Sequence, residues 1–361
     1  MKFNLKEEDA LNKITSLFER RGFRRFRSGC FEEYSLYRDN ESFLVGKNVI
    51  TFTDLTGRLM AIRPDVTLSL IRRTEIDGAR TCKYFYNESV YRRATGGKDF
   101  REISQTGAEV VGRIDGLCEV ELVLLMCETL GIISPDYILD ISHVGYTEGL
   151  LSEFGDRRDE VKDYLSRKDV HDFIKLAQNQ GYGKELVKAF ISAAELDGNA
   201  VEAIEKAKKT ALNVKMKSAL DELEVLVSRL SAAGLDGRIN INFSMANDAD
   251  YYSGLVFNGY IDGVPHCVLT GGRYDNLLHK FGKEGGAIGF AVYLGEIERY
   301  FASEDVTVDC LIVYDDDSED KALKLARDCL AKGKSVRLDR NADLTGCTAT
   351  EIFDLTEGVK R

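Results

Sequence analysis

Apolar residues recur every three or four positions at the start of the chain, with Leu11, Ile14, Leu17 and Phe18 on one face of residues 6–21. That spacing predicts an amphipathic helix, and Gly22 stands where a helix is commonly closed. The period then shortens. Residues 23–72 read as strand-rich, and TFTDLTGRLMAIRPD sets Phe52 and Leu59 on either side of Thr56-Gly57, which predicts an antiparallel hairpin. CKYFYNESVYR (82–92) and FREISQTGAEVVG (100–112) predict two further strands joined through the Gly-containing ATGGKDF loop. Residues 115–130 predict a mostly buried helix ending at Gly131, and SPDYILDISHVG (134–145) another strand.

From about residue 147 to 234 the pattern is helical and rich in Lys, Glu and Ala, with Leu220, Leu223, Val227 and Leu230 on one face and Gly234 at the end. Strands resume over 238–270, a helix is expected from Tyr274, and AIGFAVYLGEIERYF reads as a second helix closing the core. The segment 306–361 has its own pattern: a strand (VTVDCLIVYD), a helix with Ser318 as cap and Leu323, Ala326 and Leu330 on one face, and a second strand (KSVRL). This is a β-α-β fragment, short for a self-sufficient core. The expected fold class is α+β: an antiparallel sheet core in two parts, 1–146 and 236–303, a helical insertion over 147–235, and a truncated α/β domain over 304–361.

Neither a GxGxxG after a strand nor a GxxxxGK[ST] occurs, so dinucleotide and P-loop readings have no support. The net charge of -11 argues against a broad basic surface for nucleic acid. The 8 cysteines have no CxxC pair and only 4 histidines accompany them, so neither a zinc site nor a redox motif is expected, and scattered thiols suit a reducing cytosol. The polar opening MKFNLKEEDALNK lacks a signal-peptide core, and no apolar run reaches membrane-spanning length. A cytoplasmic protein with no metal, no cofactor and no membrane partner is expected.

Four ordered segments carry a resemblance: RPDVT (63–67), VYRRATGGKDFREISQTGAEVVG (90–112), DYYSGLVF with TGGRYDNL (250–257 and 270–277), and AIGFAVYLGEIER (287–299). Together they resemble the class II aminoacyl-tRNA synthetase core, specifically its histidyl branch, over roughly residues 1–300. The resemblance implies a histidine pocket. Asp65 and Thr67, two apart on a segment expected to be extended, would share a face and accept from an ammonium. Gln105 and Glu109, four apart on one strand, also share a face; by the resemblance Gln105 helps the ammonium end and Glu109 accepts from the imidazole. Tyr251 and Tyr252 would wall the ring, Arg92 would meet a carboxylate or α-phosphate, and Gly271 and Gly272 would let backbone approach the ligand. Taken singly, Asp65 also suits a turn or cap, Gln105 and Glu109 a solvated strand face, the tyrosines a core, and Gly271-Gly272-Arg273 a tight turn.

The resemblance breaks where ATP chemistry needs cations. Amino-acid activation builds negative charge at phosphorus, which fixed positive charge must stabilise. In SMANDADYY the position matching an α-phosphate arginine is Asn247, and an ungapped match puts Glu296 at the γ-phosphate arginine, with Arg299 nearly one helical turn on. These departures, with ILDISHVG (138–145), resemble the regulatory subunit family of ATP phosphoribosyltransferase, a synthetase paralogue. That resemblance implies no catalysis of its own and no tRNA. It also implies a homodimer within a hetero-octamer with the short-form catalytic subunit, and histidine feedback sensed in the pocket or at the subunit interface. An active histidyl-tRNA synthetase with a reduced C-terminal domain, or a paralogue binding another small ligand, are the competing readings.

Overall fold

The computed structural model describes residues 5–44, 49–76, 79–93, 99–196, 198–245, 251–295, 297, 306–340 and 347–356. The chain forms two compact units, Met1–Tyr300 and Phe301–Arg361.

In the first unit α1 (Leu5–Arg20) leads into the short strand β1 (Arg24–Arg25). A small antiparallel sheet follows, built from β2 (Phe31–Glu33), β3 (Thr51–Thr53) and β4 (Leu59–Ile62), with α2 (Tyr34–Arg38) between its first two strands and the expected 51–62 hairpin as its core. Then come α3 (Thr67–Arg73) and a long hairpin, β5 (Thr81–Arg93) and β6 (Phe100–Gly112), paired along its whole length. Next is α4 (Gly116–Ile133), whose start is capped by Asp115, accepting from the Leu117 and Cys118 amides at 3.0 Å each. It runs past Gly131 to Ile133, because its last turn remains buried through Leu130 and Ile133.

After β7 (Tyr137–His143) the stretch expected to be helical carries α5 (Val144–Leu151), α6 (Arg158–Ser166), α7 (Val170–Gln180), α8 (Lys184–Glu195), α9 (Ala200–Lys208) and α10 (Val214–Ala232). The predicted stripe on α10 is buried at Leu220, Leu223, Val227 and Leu230. The chain returns through β8 (Ile239–Ile241), β9 (Leu255–Ile261), β10 (Leu269–Arg273), α11 (Asp275–Lys280) and β11 (Gly286–Tyr293). The main sheet has eight strands in the order β1-β5-β6-β11-β10-β9-β7-β8, antiparallel except at its two outer pairs. The α+β class is therefore observed.

One expectation is overturned. AIGFAVY does not begin a closing helix; it is β11, in the middle of the sheet between β6 and β10. A strand covered on both faces carries apolar side chains at nearly every position, so it has no alternation to distinguish it from a buried helix. On one face of the sheet Phe85 of β5 and Phe290 of β11 meet Phe18 of α1, with ring centroids 5.8 and 6.0 Å apart. Leu130 of α4 approaches β9 at Gly259. The opposite face carries the cavity described below.

The second unit is a parallel three-stranded sheet, order β13-β12-β14, made of β12 (Val306–Val313), β13 (Val336–Asp339) and β14 (Cys347–Asp354), with α12 (Glu319–Ala331) between the first two. The third strand goes beyond the expected fragment. The buried face of α12 is Ala322, Ala326 and Cys329, whereas Leu323 and Leu330 are exposed. Small side chains let the helix lie close to Ile312 and Phe353, which the larger leucines would prevent. Ser318 does not cap α12 with its side chain; its hydroxyl donates to Asp315 Oδ1 at 2.5 Å and accepts the Asp315 amide at 2.9 Å.

Candidate functional site

The RPDVT segment is shaped by its arginine. Arg63 is buried, and its guanidinium donates to the carbonyls of Ser28 (3.0 Å), Gly29 (3.2 Å) and Ser89 (2.6 Å) and to Glu88 Oε2 (3.0 Å). It ties the loop before β2 to β5 and does not line the cavity. Replacing Arg63 by Met would leave a carboxylate and three carbonyls without their donor. We expect a loss of about 3–5 kcal/mol in stability, read by denaturant unfolding. The same change at Arg58, whose side chain is exposed, should leave the unfolding midpoint nearly where it is.

Beyond Arg63 the segment is not extended as expected. Val66 has helical backbone angles and Thr67 opens α3. Asp65 Oδ1 accepts the Leu68 amide at 2.8 Å, so this carboxylate closes the first turn of α3 while its other oxygen lies 3.5 Å from the Arg92 guanidinium. Asp65 thus bonds into the first turn of α3 and also lines the cavity. Arg92 is held from its other side by the Pro64 carbonyl, which accepts from Nε at 2.7 Å.

On the sheet, antiparallel register brings the remaining groups together. Glu109 of β6 pairs with Gly289 of β11, and Gln105 with Tyr293. Directly paired residues share a face, so Gln105, Gly107 and Glu109 line up beside Gly289, Ala291 and Tyr293. Two glycines make the hollow. A Cβ on Gly289 would collide with the Glu109 carboxylate, and one on Gly107 with the Tyr86 ring. The cavity encloses about 170 Å³, below the roughly 300–1,000 Å³ of drug-sized pockets, which suits a small metabolite. Asp65, Thr67, Arg92, Gln105, Glu109, Tyr251, Tyr252 and Gly271 all line it. Gly272 does not; it lies in β10, where a Cβ would strike the Tyr252 ring, so its role is to let that ring sit against the strand. The tight-turn alternative for Gly271-Gly272-Arg273 is excluded, since all three are in β10. Asn247, Glu296 and Arg299 lie outside the described residues.

Several wall residues were not expected: Tyr86, Thr270, Tyr274, Gly289, Ala291 and Tyr293. Tyr251 packs edge-on to Tyr252 (4.7 Å between centroids) and lies 5.7 Å from the Tyr274 ring. Thr270 and Tyr293 share a hydrogen bond of 2.7 Å. Tyr274 donates to Glu109 Oε2 at 2.5 Å and Thr67 donates to Glu109 Oε1 at 2.9 Å, so both oxygens of this buried carboxyl face hydroxyls.

The electrostatics follow from burial. Desolvation pushes Glu109 up to about 8, against the lowering effect of the Tyr274 and Thr67 hydroxyls, with Asp65 adding to the rise. Asp65 is also raised, first by burial, with Arg92 pulling the other way. Tyr86, Tyr251 and Tyr274 all stand well above the usual phenol range, burial being the main cause and the nearby carboxyls adding to it. The folded chain thus holds a proton on Glu109 that the unfolded chain gives up near the ordinary value of 4.5. Between that value and about 8 the folded form binds more protons, so stability falls as pH rises, and the loss is complete above about 8. We expect Glu109→Gln to remove this slope: the variant's melting temperature should gain on wild type by roughly a few degrees between about pH 6 and pH 9. A gap that stays constant with pH would contradict the assignment.

The model of the histidyl-tRNA synthetase family matches residues 3–297. The chain belongs to the histidyl-tRNA synthetase family. Within that family it is similar to curated ATP phosphoribosyltransferase regulatory subunits. It is 25% identical to that of Acetivibrio thermocellus over 344 residues, covering 91% of this chain and 82% of the relative. To that of Bacillus thuringiensis it is 27% identical over 354 residues, covering 93% and 83%. Among solved structures it shares its fold with an ATP phosphoribosyltransferase regulatory subunit/histidyl-tRNA synthetase from Bacillus halodurans (TM-score 0.75, 23% identity, 98% of this chain and 96% of that one). It also shares it with a chain of the ATP phosphoribosyl transferase complex from Thermotoga maritima (TM-score 0.63, 21% identity, 80% and 97%). On this histidyl-tRNA synthetase-type core Arg92 is the one basic side chain among the described residues of the cavity wall, and it is already engaged by Asp65 and Pro64. Among the described residues no group of three or more His, Cys, Asp or Glu side chains could hold a metal ion, and no helix is long and apolar enough to cross a membrane.

Proposed function

We propose that this protein is a non-catalytic regulatory subunit of ATP phosphoribosyltransferase, which activates a short catalytic subunit and carries histidine feedback to it in the first step of histidine biosynthesis. The observation that carries the reading is a cavity of amino-acid size with two buried carboxyls, Asp65 and Glu109, and a single, already paired arginine among its described wall residues. That wall suits a ligand with a cationic end and a ring that donates a hydrogen bond, and it is poor in positive charge for a triphosphate. Relatives named as regulatory subunits over most of the chain support the same assignment. The working assembly is a homodimer within a hetero-octamer, in the cytoplasm, without tRNA. Histidine acts by linkage: it can bias the assembly only by binding its active and inactive states with different affinity.

In this reading Asp65, Thr67 and Gln105 hold the ammonium, Arg92 meets the carboxylate, and Glu109 faces the imidazole between the tyrosines. Glu109, pushed up to about 8, and a free imidazole near about 6.5 then share one proton in the complex. Histidine binding should therefore release about one proton at about pH 5.5 and almost none near about pH 7.2. Calorimetry in buffers of different ionisation enthalpy measures this. Binding of asparagine or phenylalanine as tightly as histidine, or equal proton release at both pH values, would remove the cavity from the sensor role.

A further inference from the structure

The helical block holds a second and larger cavity, of about 670 Å³, between α8 and the end of α9. Its floor is apolar, formed by Val187, Ile191 and Leu196. Tyr182 stands at one side, its ring 5.2 Å from Phe154, in an aromatic group where Phe173 and Phe190 stack at 3.5 Å. Tyr182, Val187 and Ile191 are half-buried, and buried Leu196, Phe154, Phe173 and Phe190 lie in the same helical block. The rim has the opposite character. Lys184 and Lys188 of α8 face it from one side and Lys206 and Lys209 from the other, against one acid, Glu195. Lys206 reaches Glu202 only at 3.9 Å, while Lys184, Lys188 and Lys209 make no ion pair among the described residues. Four cations around an apolar floor stand out in a chain of net charge -11. Two neighbouring lysines of the same block are paired, Lys208 with Asp221 and Glu224, and Lys175 with Asp172.

We propose that this cavity binds a small amphipathic organic anion, one whose apolar body lies on Val187, Ile191 and Leu196 and whose phosphate, sulfonate or carboxylate meets the lysine rim. The volume lies within the range of small-molecule pockets, and an apolar lining with a few charged groups is their usual chemistry. Lysine supplies mobile point charges, so the site selects for negative charge more than for one oxyanion geometry. Thr210 donates its hydroxyl to Ser192 at 3.2 Å, which leaves the Ser192 hydroxyl as a donor for the anion beside the lysines.

The test uses the full chain with anilinonaphthalene sulfonate as fluorescent probe. It should bind one equivalent per chain, more weakly as salt rises. Lys184→Glu/Lys188→Glu/Lys209→Glu should weaken binding at least about tenfold with an unchanged melting curve, and Lys321→Glu on α12 should leave it unaltered. These lysines are exposed, so the variant should fold. Octyl phosphate and phenyl phosphate, as competitors, distinguish an acyl from an aromatic body; displacement by at least one is required. Failure of both to displace the probe would overturn the proposal, as would binding untouched by the triple variant. Displacement of the probe by histidine would place it in the other cavity and overturn the proposal while leaving the histidine reading intact.

Discussion

Incubated with histidine, ATP, magnesium and labelled pyrophosphate, the purified protein should exchange no label above the blank. Losing one charge-stabilising group costs about 10²–10³ in rate, and losses within one coupled site do not simply add, so an overall deficit of at least about 10³ is expected relative to a competent synthetase. Arg92 cannot make up the deficit. It is a single cation that already faces Asp65 and, in the proposed role, serves the histidine carboxylate as well, which leaves no second positive charge for a triphosphate among the described wall residues. Asn247 and Glu296 stand where the family resemblance implies arginines. Exchange that needs both histidine and ATP would establish an active histidyl-tRNA synthetase instead.

The second large effect is on histidine itself. Glu109→Gln should weaken histidine binding by about tenfold to a hundredfold, the loss of one charge-assisted hydrogen bond of about 1.5–3 kcal/mol. The hydroxyls of Thr67 and Tyr274 that now face the carboxylate can turn to face an amide, so the wall should keep its shape. Titration calorimetry near neutral pH checks this, with melting temperature as the folding control. Unchanged affinity would mean that histidine is read elsewhere, with the subunit interface the first place to look.

Much of this architecture is legible in the chain. The loose alternation at 82–92 predicts β5, the segment 100–112 reads as its return strand β6, and the 3.6-residue period predicts the helical block. Gln105 and Glu109 share a face because strand geometry leaves them no other choice. The tyrosine pair and Arg92 come to the cavity by long-range pairing that only the ordered motifs hint at. What stays hidden has physical causes. Burial on both faces erases the alternation of β11, and with it Gly289, Ala291 and Tyr293 as wall residues. Tyr86 sits opposite Gly107, beside Gln105 and Glu109, a placement that follows from the β5–β6 register once that hairpin is drawn inward. Asp65 looks like a choice between turn and cavity wall; one oxygen accepts the Leu68 amide while the other faces Arg92 in the wall. In α12 the leucines suggest the buried face, but close helix-to-sheet packing favours alanine and cysteine.

The sharpest check of the regulatory role is reconstitution with a short-form catalytic subunit of ATP phosphoribosyltransferase. Turnover of ATP with phosphoribosyl pyrophosphate should rise severalfold when this chain is added, and histidine should suppress the gain. Turnover that is the same with and without this chain, at concentrations where the two proteins are shown to associate, would contradict that role.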